Sequence, residues 1–233
     1  HEIDAIGHRV VQGGEAFSAA VRIDAEVKQA IKENIKLAPL HNQPNLNGIE
    51  VAEQSLPGIA NVAVFDTEFH STIPSKAYLY ALPYKFYKDF RIRRYGFHGT
   101  SHKYLAQQAA RLMKKDIEEI NIITLHLGNG CSLCAVEKGQ SIDTSMGMSP
   151  LAGVMMGTRT GDMDPAVVGY LMKQTGQDID KLETVFNQQS GLKGICGEND
   201  LRDIHNAVEK GDSYAKLALD MFCYQVKKYI GAY

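Results

Sequence analysis

Two short stretches of this chain carry residues whose types and spacing suit the handling of phosphate. The first is Asn121 to Leu127, a run of β-branched and apolar residues that stops at Gly128-Asn129-Gly130 and is followed directly by a second strand-like run from Cys131 to Val136. That pattern predicts a tight hairpin. Two residues of the turn lack a Cβ, so backbone N–H groups can gather on one side into a concave array that suits phosphate oxygens. His126 and Asn129 add side-chain donors beside it. The second stretch is Gly157-Thr158-Arg159-Thr160-Gly161-Asp162, where one arginine lies between two glycines. There the backbone can come close to a ligand and the guanidinium can fork onto an anion. Taken separately, each stretch is equally compatible with an ordinary loop.

Three further features bear on chemistry. Asp66 stands at the C-terminal end of a strand-like run, Asn61 to Phe65, where α/β sheets keep their ligand sites. It can serve there as a turn-former or as an oxygen ligand for Mg²⁺, held directly or through water. His98 lies just before a predicted helix, so a phosphoryl group approaching it would meet a histidine donor and the positive end of the helix dipole. Its context, His98-Gly99-Thr100-Ser101-His102, has the outline of a metalloprotease H-E-x-x-H, but Gly99 stands where the glutamate base is required. Cys131 and Cys134 form a C-x-x-C on one strand, and their odd separation sends the two thiols to opposite faces, so they are read as structural.

The elements that must position these residues can be read in order. His8 to Val11 is strand-like and leads into Gly13-Gly14; Asp24 N-caps a helix reaching about Leu37. Leu40 and His41 fall in a Pro- and Asn-rich stretch that reads as a loop, before a helix over 45–54. A helix capped by Thr100 or Ser101 runs to about Lys114. Beyond the arginine loop, helices are predicted over 165–173 and 178–188, a loop over 191–197, a helix starting at Asp200, and a long amphipathic helix over 213–230 that suits core and subunit contact.

With 233 residues, 44% hydrophobic and 22% charged, the chain can bury a substantial core as one large domain or two lobes. A net charge of −2 gives no electrostatic case for nucleic acid or an anionic membrane, even though Tyr78 to Arg94 is rich in Tyr, Lys and Arg. No apolar run approaches the roughly 20 residues needed to span a bilayer, and the cytoplasm is the expected location. Four scattered cysteines do not make a disulfide framework.

Six stretches together resemble the acetate kinase family: GHRVVQGGE (7–15), PLHN (39–42), FDTEFH (65–70), RRYGFHGTSH (93–102), HLGNGCSLCAV (126–136) and MGTRTGDMDP (156–165). Their order and spacing match as well. Gln12 departs from the histidine usual at that place in the family. The resemblance implies an α/β, two-lobed, actin-like (ribonuclease H-like) fold, with 1–70 in the N-terminal lobe, 71–233 in the nucleotide-binding lobe and the active site between them. It further implies an internal fragment lacking both termini, inactive by itself. The implied reaction is reversible, Mg²⁺- or Mn²⁺-dependent transfer of the ATP γ-phosphoryl group to acetate, giving acetyl phosphate and ADP, in a homodimer.

By the same resemblance Arg9, Asp66, His98 and Arg159 are catalytic, with the two arginines on the carboxylate and transition state, His98 on the phosphoryl group and Asp66 meeting the metal through water. Val11, Leu40, Phe97 and Pro150 form the acyl pocket, and His41 lies near the reacting groups. His126, Leu127, Gly128, Asn129 and Gly130 hold the nucleotide phosphates, and Asp200, Leu201 and Arg202 its adenosine end. The rival within the class is a propionate kinase. The rival outside it is a non-catalytic actin-like nucleotide-binding protein, which would keep the hairpin and lose the arginines.

Overall fold

The structure is a computed structural model that describes residues 3–233, the side chain of Leu40 excepted. The chain divides into two compact units, one of residues 1–124 and 134–144, the other of 125–133 and 145–233. Each is described by itself.

In the first unit, strand β1 (Ala5–Val10) pairs in parallel with β3 (Ala60–Phe65), residue for residue from Ala5 opposite Ala60 to Val10 opposite Phe65. The two-residue strand β2 (Val21–Arg22) joins the other edge of β3 in antiparallel sense. Helix α1 (Ala25–Glu33) begins at Asp24, whose side chain accepts from the Val27 N–H, and its last turn tightens into a 3₁₀ helix over Asn34–Leu37. Helix α2 spans Pro39–Ser55. Val27 and Ile31 of α1 and Leu46 and Ile49 of α2 close with Val10, Ala63 and Phe65 into one core, on which Phe17 stacks at 4.3 Å from Phe65.

The loop expected around Leu40 and His41 is therefore the start of α2. Pro39 sits at the first helical position, where its missing N–H costs nothing, and helix continues through Pro44 because side chains of this segment serve the end of β1. The Asn42 side-chain amide donates to the Gln12 carbonyl at 2.8 Å and accepts from the Gln12 N–H at 3.0 Å, and Asn45 Oδ1 accepts from the Val11 N–H at 3.1 Å. Two asparagines thus take the place of a neighbouring strand where β1 stops. A buried backbone group left unpaired costs about 1–3 kcal/mol, which is why the loop pattern yields to this arrangement.

The first unit continues through a 3₁₀ turn over Glu68–Thr72, the short helices α3 (Ser75–Tyr78) and α4 (Lys85–Phe90), and α5 (Gly99–Met113). Arg93 is held beneath α3 and α4: its guanidinium lies 3.5 Å from the Tyr78 ring centroid and donates to Glu15 at 2.7 Å. A hairpin follows, β4 (Asn121–Leu127) and β5 (Cys131–Glu137), and then β6 (Gln140–Thr144), with strand order β4-β5-β6. The predicted hairpin is present with its turn at Gly128–Gly130. Strand β6, not expected, follows the two-residue turn Lys138-Gly139, whose φ values of 50° and 79° are those of the hairpin turn that matches strand twist.

The second unit holds α6 (Ala166–Thr175), α7 (Ile179–Gln188), α8 (Gly191–Cys196), α9 (Leu201–Glu209) and α10 (Ser213–Ala232), with α8 and α9 both packed on α10. Residues 191–196 are thus a helix and not the expected loop. No helix among the described residues is long and apolar enough to cross a membrane.

Candidate functional site

Arg9 and Asp66 are brought together at the C-terminal edge of the β1–β3 pair. Asp66 follows the last residue of β3, its N–H donating to the Val10 carbonyl, so parallel pairing delivers its carboxylate beside the side chain of Arg9. The contact is bidentate: Nε donates to Oδ1 at 2.8 Å and Nη2 to Oδ2 at 2.7 Å. The carboxylate is buried, whereas the arginine side chain is 67% exposed, so the buried charge is neutralised and the guanidinium still faces solvent. The hydrogen bond to Asp66 raises the Arg9 pKa further above its ordinary value. Nη1 is not used by Asp66.

The turn over Gly96–Gly99 packs against this pair. Gly99 donates to the Asp66 carbonyl at 2.9 Å, and a Cβ on Gly99 would collide with that same oxygen. Helix α5 accordingly starts at Gly99, one turn-residue earlier than the expected caps Thr100 and Ser101. Its N-cap is His98, in the left-handed region at φ 59° with no side-chain cap bond. His98 is half-buried there, and Phe97 before it is buried. Val11, just past β1, and His41, in the first turn of α2, are half-buried. Leu40, also expected in the acyl pocket, has its side chain outside the described residues.

In the second unit the arginine loop is clamped by backbone bonds. The N–H groups of Leu192 and Lys193 at the start of α8 donate to the carbonyls of Met156 and Gly157, the Ser190 N–H donates to Thr158, and Thr160 donates to Phe186. Asp162 accepts from the Gly153 N–H at 2.8 Å and from the Tyr229 hydroxyl, so this carboxylate serves the loop. Arg159 emerges half-buried, with Nη1 donating to the Pro150 carbonyl at 3.0 Å and lying 3.9 Å from the Met156 sulfur. The structure thereby joins Pro150 to Arg159. No carboxylate among the described residues pairs with Arg159, and burial lowers its pKa from the ordinary arginine value.

The hairpin turn, whose residues 125–133 belong to this second unit, docks beside this loop. The Gly157 N–H donates to the Asn129 carbonyl at 3.0 Å, and the Asn199 amide donates to Asn129 Oδ1 at 3.1 Å. The Gly128 N–H donates to the Gly130 carbonyl, so one of the groups expected to face a phosphate is taken up inside the turn. Asn129 and Leu127 are exposed, and His126 and Gly130 half-buried. Asp200 caps α9 by accepting from the Arg202 N–H, and it also holds the Arg202 guanidinium, with Nη2 to Oδ2 at 2.6 Å. The side-chain hydrogen bond from Arg202 pulls the Asp200 pKa down to about 2. Leu201 opens α9 and is half-buried.

The two strand cysteines have separate partners: the Cys131 thiol donates to the Gly128 carbonyl, and Cys134 lies 3.2 Å from the Ser141 hydroxyl. Burial pushes their pKa values up to about 11 and about 12, as for unreactive thiols. Among the described residues no group of three or more His, Cys, Asp or Glu side chains could hold a metal ion. Two cavities, of about 150 Å³ beside Glu15, Thr67 and Arg93 and about 280 Å³ beside Met155, Ser190 and Gln225, are not lined by Arg9, Asp66, His98 or Arg159.

Sequence reasoning had no route to the Arg9–Asp66 fork, which joins positions 57 apart, nor to the clamp at the start of α8, whose Gly191 is required by a close backbone approach. The available signal was the Ser190-Gly191 pair, which marks a turn, and Gly191 has a positive φ of 64°.

The family model described as the acetokinase family matches residues 1–233. An acetate kinase of Oleidesulfovibrio alaskensis is 59% identical over 232 residues, covering 100% of this chain and 58% of that protein. An acetate kinase of Caldicellulosiruptor saccharolyticus is 57% identical over 233 residues, covering 100% of this chain and 58% of that protein. Among solved structures, Porphyromonas gingivalis acetate kinase superposes with a TM-score of 0.95 at 47% identity, over 99% of this chain and 58% of that one. A propionate kinase from Francisella tularensis superposes with a TM-score of 0.96 at 48% identity, over 98% of this chain and 59% of that one. The chain thus spans less than two thirds of the length of the relatives it matches. The expected α/β fold of these kinases is the fold observed.

Proposed function

The chain belongs to the acetokinase family, and from that premise we propose that the protein is an acetate kinase, transferring the γ-phosphoryl group of ATP reversibly to acetate. The observation that carries this reading is Arg159: a half-buried cation on a clamped loop, with no carboxylate beside it among the described residues. A desolvated guanidinium without a counter-charge is a standing site for an anion, and the cost of burying it is recovered when one binds.

In the forward direction an acetate oxygen attacks the γ-phosphorus while the bond to the bridging oxygen of ADP breaks, and ADP leaves with that electron pair. The nucleophile is already a carboxylate, so no general base is required; positioning and neutralisation of charge on the phosphoryl oxygens suffice. In the first unit, Arg9 presents Nη1 to the carboxylate while Asp66 fixes the rest of its guanidinium, and His98 donates to the phosphoryl group. In the second, Arg159 stabilises the charge on the transferring group, His126, Leu127, Gly128, Asn129 and Gly130 hold the nucleotide phosphates, and Asp200, Leu201 and Arg202 meet the adenosine end. Val11, Leu40, Phe97 and Pro150 enclose the methyl group.

Mg²⁺ or Mn²⁺ accompanies the nucleotide and supplies further neutralisation of phosphate charge. Mg²⁺ keeps several waters, and each Asp66 oxygen retains a lone pair beyond its bond to Arg9, so Asp66 fits as a partner of metal-bound water. A cytoplasmic homodimer, with a lobe boundary of the complete protein near residue 70, belongs to the same proposal. The exposed Leu217, Tyr224 and Ile230 on α10 supply apolar surface for the dimer.

The test is acyl phosphate formation by the full-length protein, trapped with hydroxylamine, from acetate, propionate and butyrate with ATP and Mg²⁺. Acetate is expected to react best, and no trapped product from any acid would defeat the proposal. The name of the Francisella tularensis relative favours a second reading, propionate as the preferred acid. One methylene is worth about 1–3 kcal/mol of discrimination, so propionate should react less well without being excluded. Val11→Ala is expected to enlarge the pocket and move kcat/KM toward propionate by about tenfold, the scale of one methylene. An unchanged acetate-to-propionate ratio in this variant would remove Val11 from the acyl pocket.

A further inference from the structure

A buried chain of hydrogen bonds that the proposed reaction does not use ends on the turn that carries His98. His70, in the 3₁₀ turn after Asp66, is buried, with Nε2 2.9 Å from the Phe97 carbonyl and Nδ1 2.8 Å from the Ser141 hydroxyl. The Phe97 carbonyl can only accept, so Nε2 carries the hydrogen. Burial lowers the ring's pKa and keeps it neutral, so Nδ1 is the bare acceptor and Ser141 donates to it. The Ser141 oxygen is in turn 3.2 Å from Cys134 Sγ, whose hydrogen completes the chain. The Thr72 hydroxyl donates to the Ser141 carbonyl at 2.8 Å, tying β6 to the turn that carries His70.

The turn over Gly96–Gly99 is shaped around this ring. Gly96 has φ 74°, and a Cβ there would lie 2.7 Å from His70 Cδ2 and would collide with Thr144 Cγ2. His98 itself is in the left-handed region, a conformation that costs a non-glycine residue about 1–2 kcal/mol and persists only where neighbours over-determine it. Bonds to two backbone groups flank it: the Phe97 carbonyl accepts from the His70 ring, and the Gly99 N–H donates to the Asp66 carbonyl. The second bond belongs to the residue that also fixes Arg9.

Resting on the acetate kinase reading of His98, we propose that His70 is a positioning residue for the reaction, acting through its Nε2–H on the Phe97 carbonyl to hold His98 in its left-handed, phosphoryl-facing conformation. It touches neither substrate. Ser141, donating to Nδ1, and Cys134 behind it satisfy the tautomer that the Phe97 carbonyl requires.

Two substitutions in the full-length protein separate positioning from packing. A glutamine places an amide donor near the position of Nε2, and an asparagine places its amide near Nδ1 and cannot reach the Phe97 carbonyl. His70→Gln is expected to keep kcat within about fivefold of wild type, and His70→Asn to lower it about 100-fold or more, the scale on which small misplacement acts, with KM for acetate and ATP nearly unchanged. Equal losses in both variants, or a loss in His70→Asn that appears only in KM, would overturn the proposal. ¹H–¹⁵N correlation of the histidine rings gives a readout independent of turnover. His70 should carry its hydrogen on Nε2, and the His98 ring signals should move in His70→Asn and hold in His70→Gln. Unmoved His98 signals in His70→Asn would overturn the proposal even in a protein inert toward every acid, an outcome that would separately defeat the acetate kinase reading.

Discussion

Arg159→Leu is expected to lower kcat by about 10³-fold or more, the scale of arginines that stabilise charge in phosphoryl transfer, while leaving the fold intact. The asymmetry follows from its surroundings. The guanidinium makes one hydrogen bond, to the Pro150 carbonyl, and one sulfur contact, and it has no ion pair among the described residues to lose. A leucine fills comparable apolar space and removes a cation whose burial was unfavourable. The loop conformation is held by backbone bonds to Phe186, Ser190, Leu192 and Lys193, none of which the substitution touches. Steady-state kinetics with saturating acetate and ATP, alongside a thermal melt, makes the check. A variant keeping a tenth of wild-type kcat has lost only about 1.4 kcal/mol and would remove Arg159 from the chemistry.

The opposite pattern is expected from Gly191→Ala, a residue that bears no chemistry. Gly191 has φ 64°, and a Cβ added to it would collide with the Met156 carbonyl and lie 2.7 Å from the Arg159 carbonyl and 3.0 Å from the Arg159 nitrogen. The left-handed conformation costs alanine about 1–2 kcal/mol, and forcing backbone apart adds about 1–3 kcal/mol. At about 2–4 °C per kcal/mol for a chain of this size, the melting temperature should fall by roughly 4–20 °C. Activity should fall with it, since the displaced backbone is that of the arginine. Gly169→Ala is the control: this glycine lies inside α6 with nothing within 4 Å of an added Cβ, and alanine there should be neutral or stabilising by about 0.5–1 kcal/mol. Equal melting temperatures for the two variants would show that the clamp is looser than its distances indicate.

What could be read from the sequence was what local pattern determines. The Gly128-Asn129-Gly130 hairpin, the strand ending before Asp66, and the helices begun by Asp178, Asp200 and Asp212 carry their own start and stop signals. The failures are places where a distant residue overrides the local pattern. Asn42 looked like a loop former because its amide favours local turns; here that amide binds Gln12, and the helix, expected only from Asn45, takes it in. Thr100 and Ser101 looked like caps, but the Asp66 carbonyl sets the start of α5 by binding Gly99. For the candidate site, the residue types were legible and their pairings were not. Nothing near Arg9 in sequence announces Asp66, and nothing near Arg159 announces the Pro150 carbonyl.

The neutral ring of His70 has one more consequence, for behaviour in acid. Burial, opposed only in part by the Phe97 carbonyl, lowers its pKa from 6.5 to about 4, with Asp66 raising it slightly and Arg94 lowering it slightly. In the unfolded chain the same ring returns to about 6.5, so between these values the unfolded state binds the extra proton and the native state does not. This contribution to stability is complete above about pH 6.5, shrinks as the pH falls, and is exhausted near pH 4. A proton forced onto Nδ1 would face the hydrogen of Ser141 and reverse the direction of that bond. As the pH falls through this window, the hold of the buried ring on its surroundings should weaken, and the turn that carries His98, tied to it through the Phe97 carbonyl, should loosen with it.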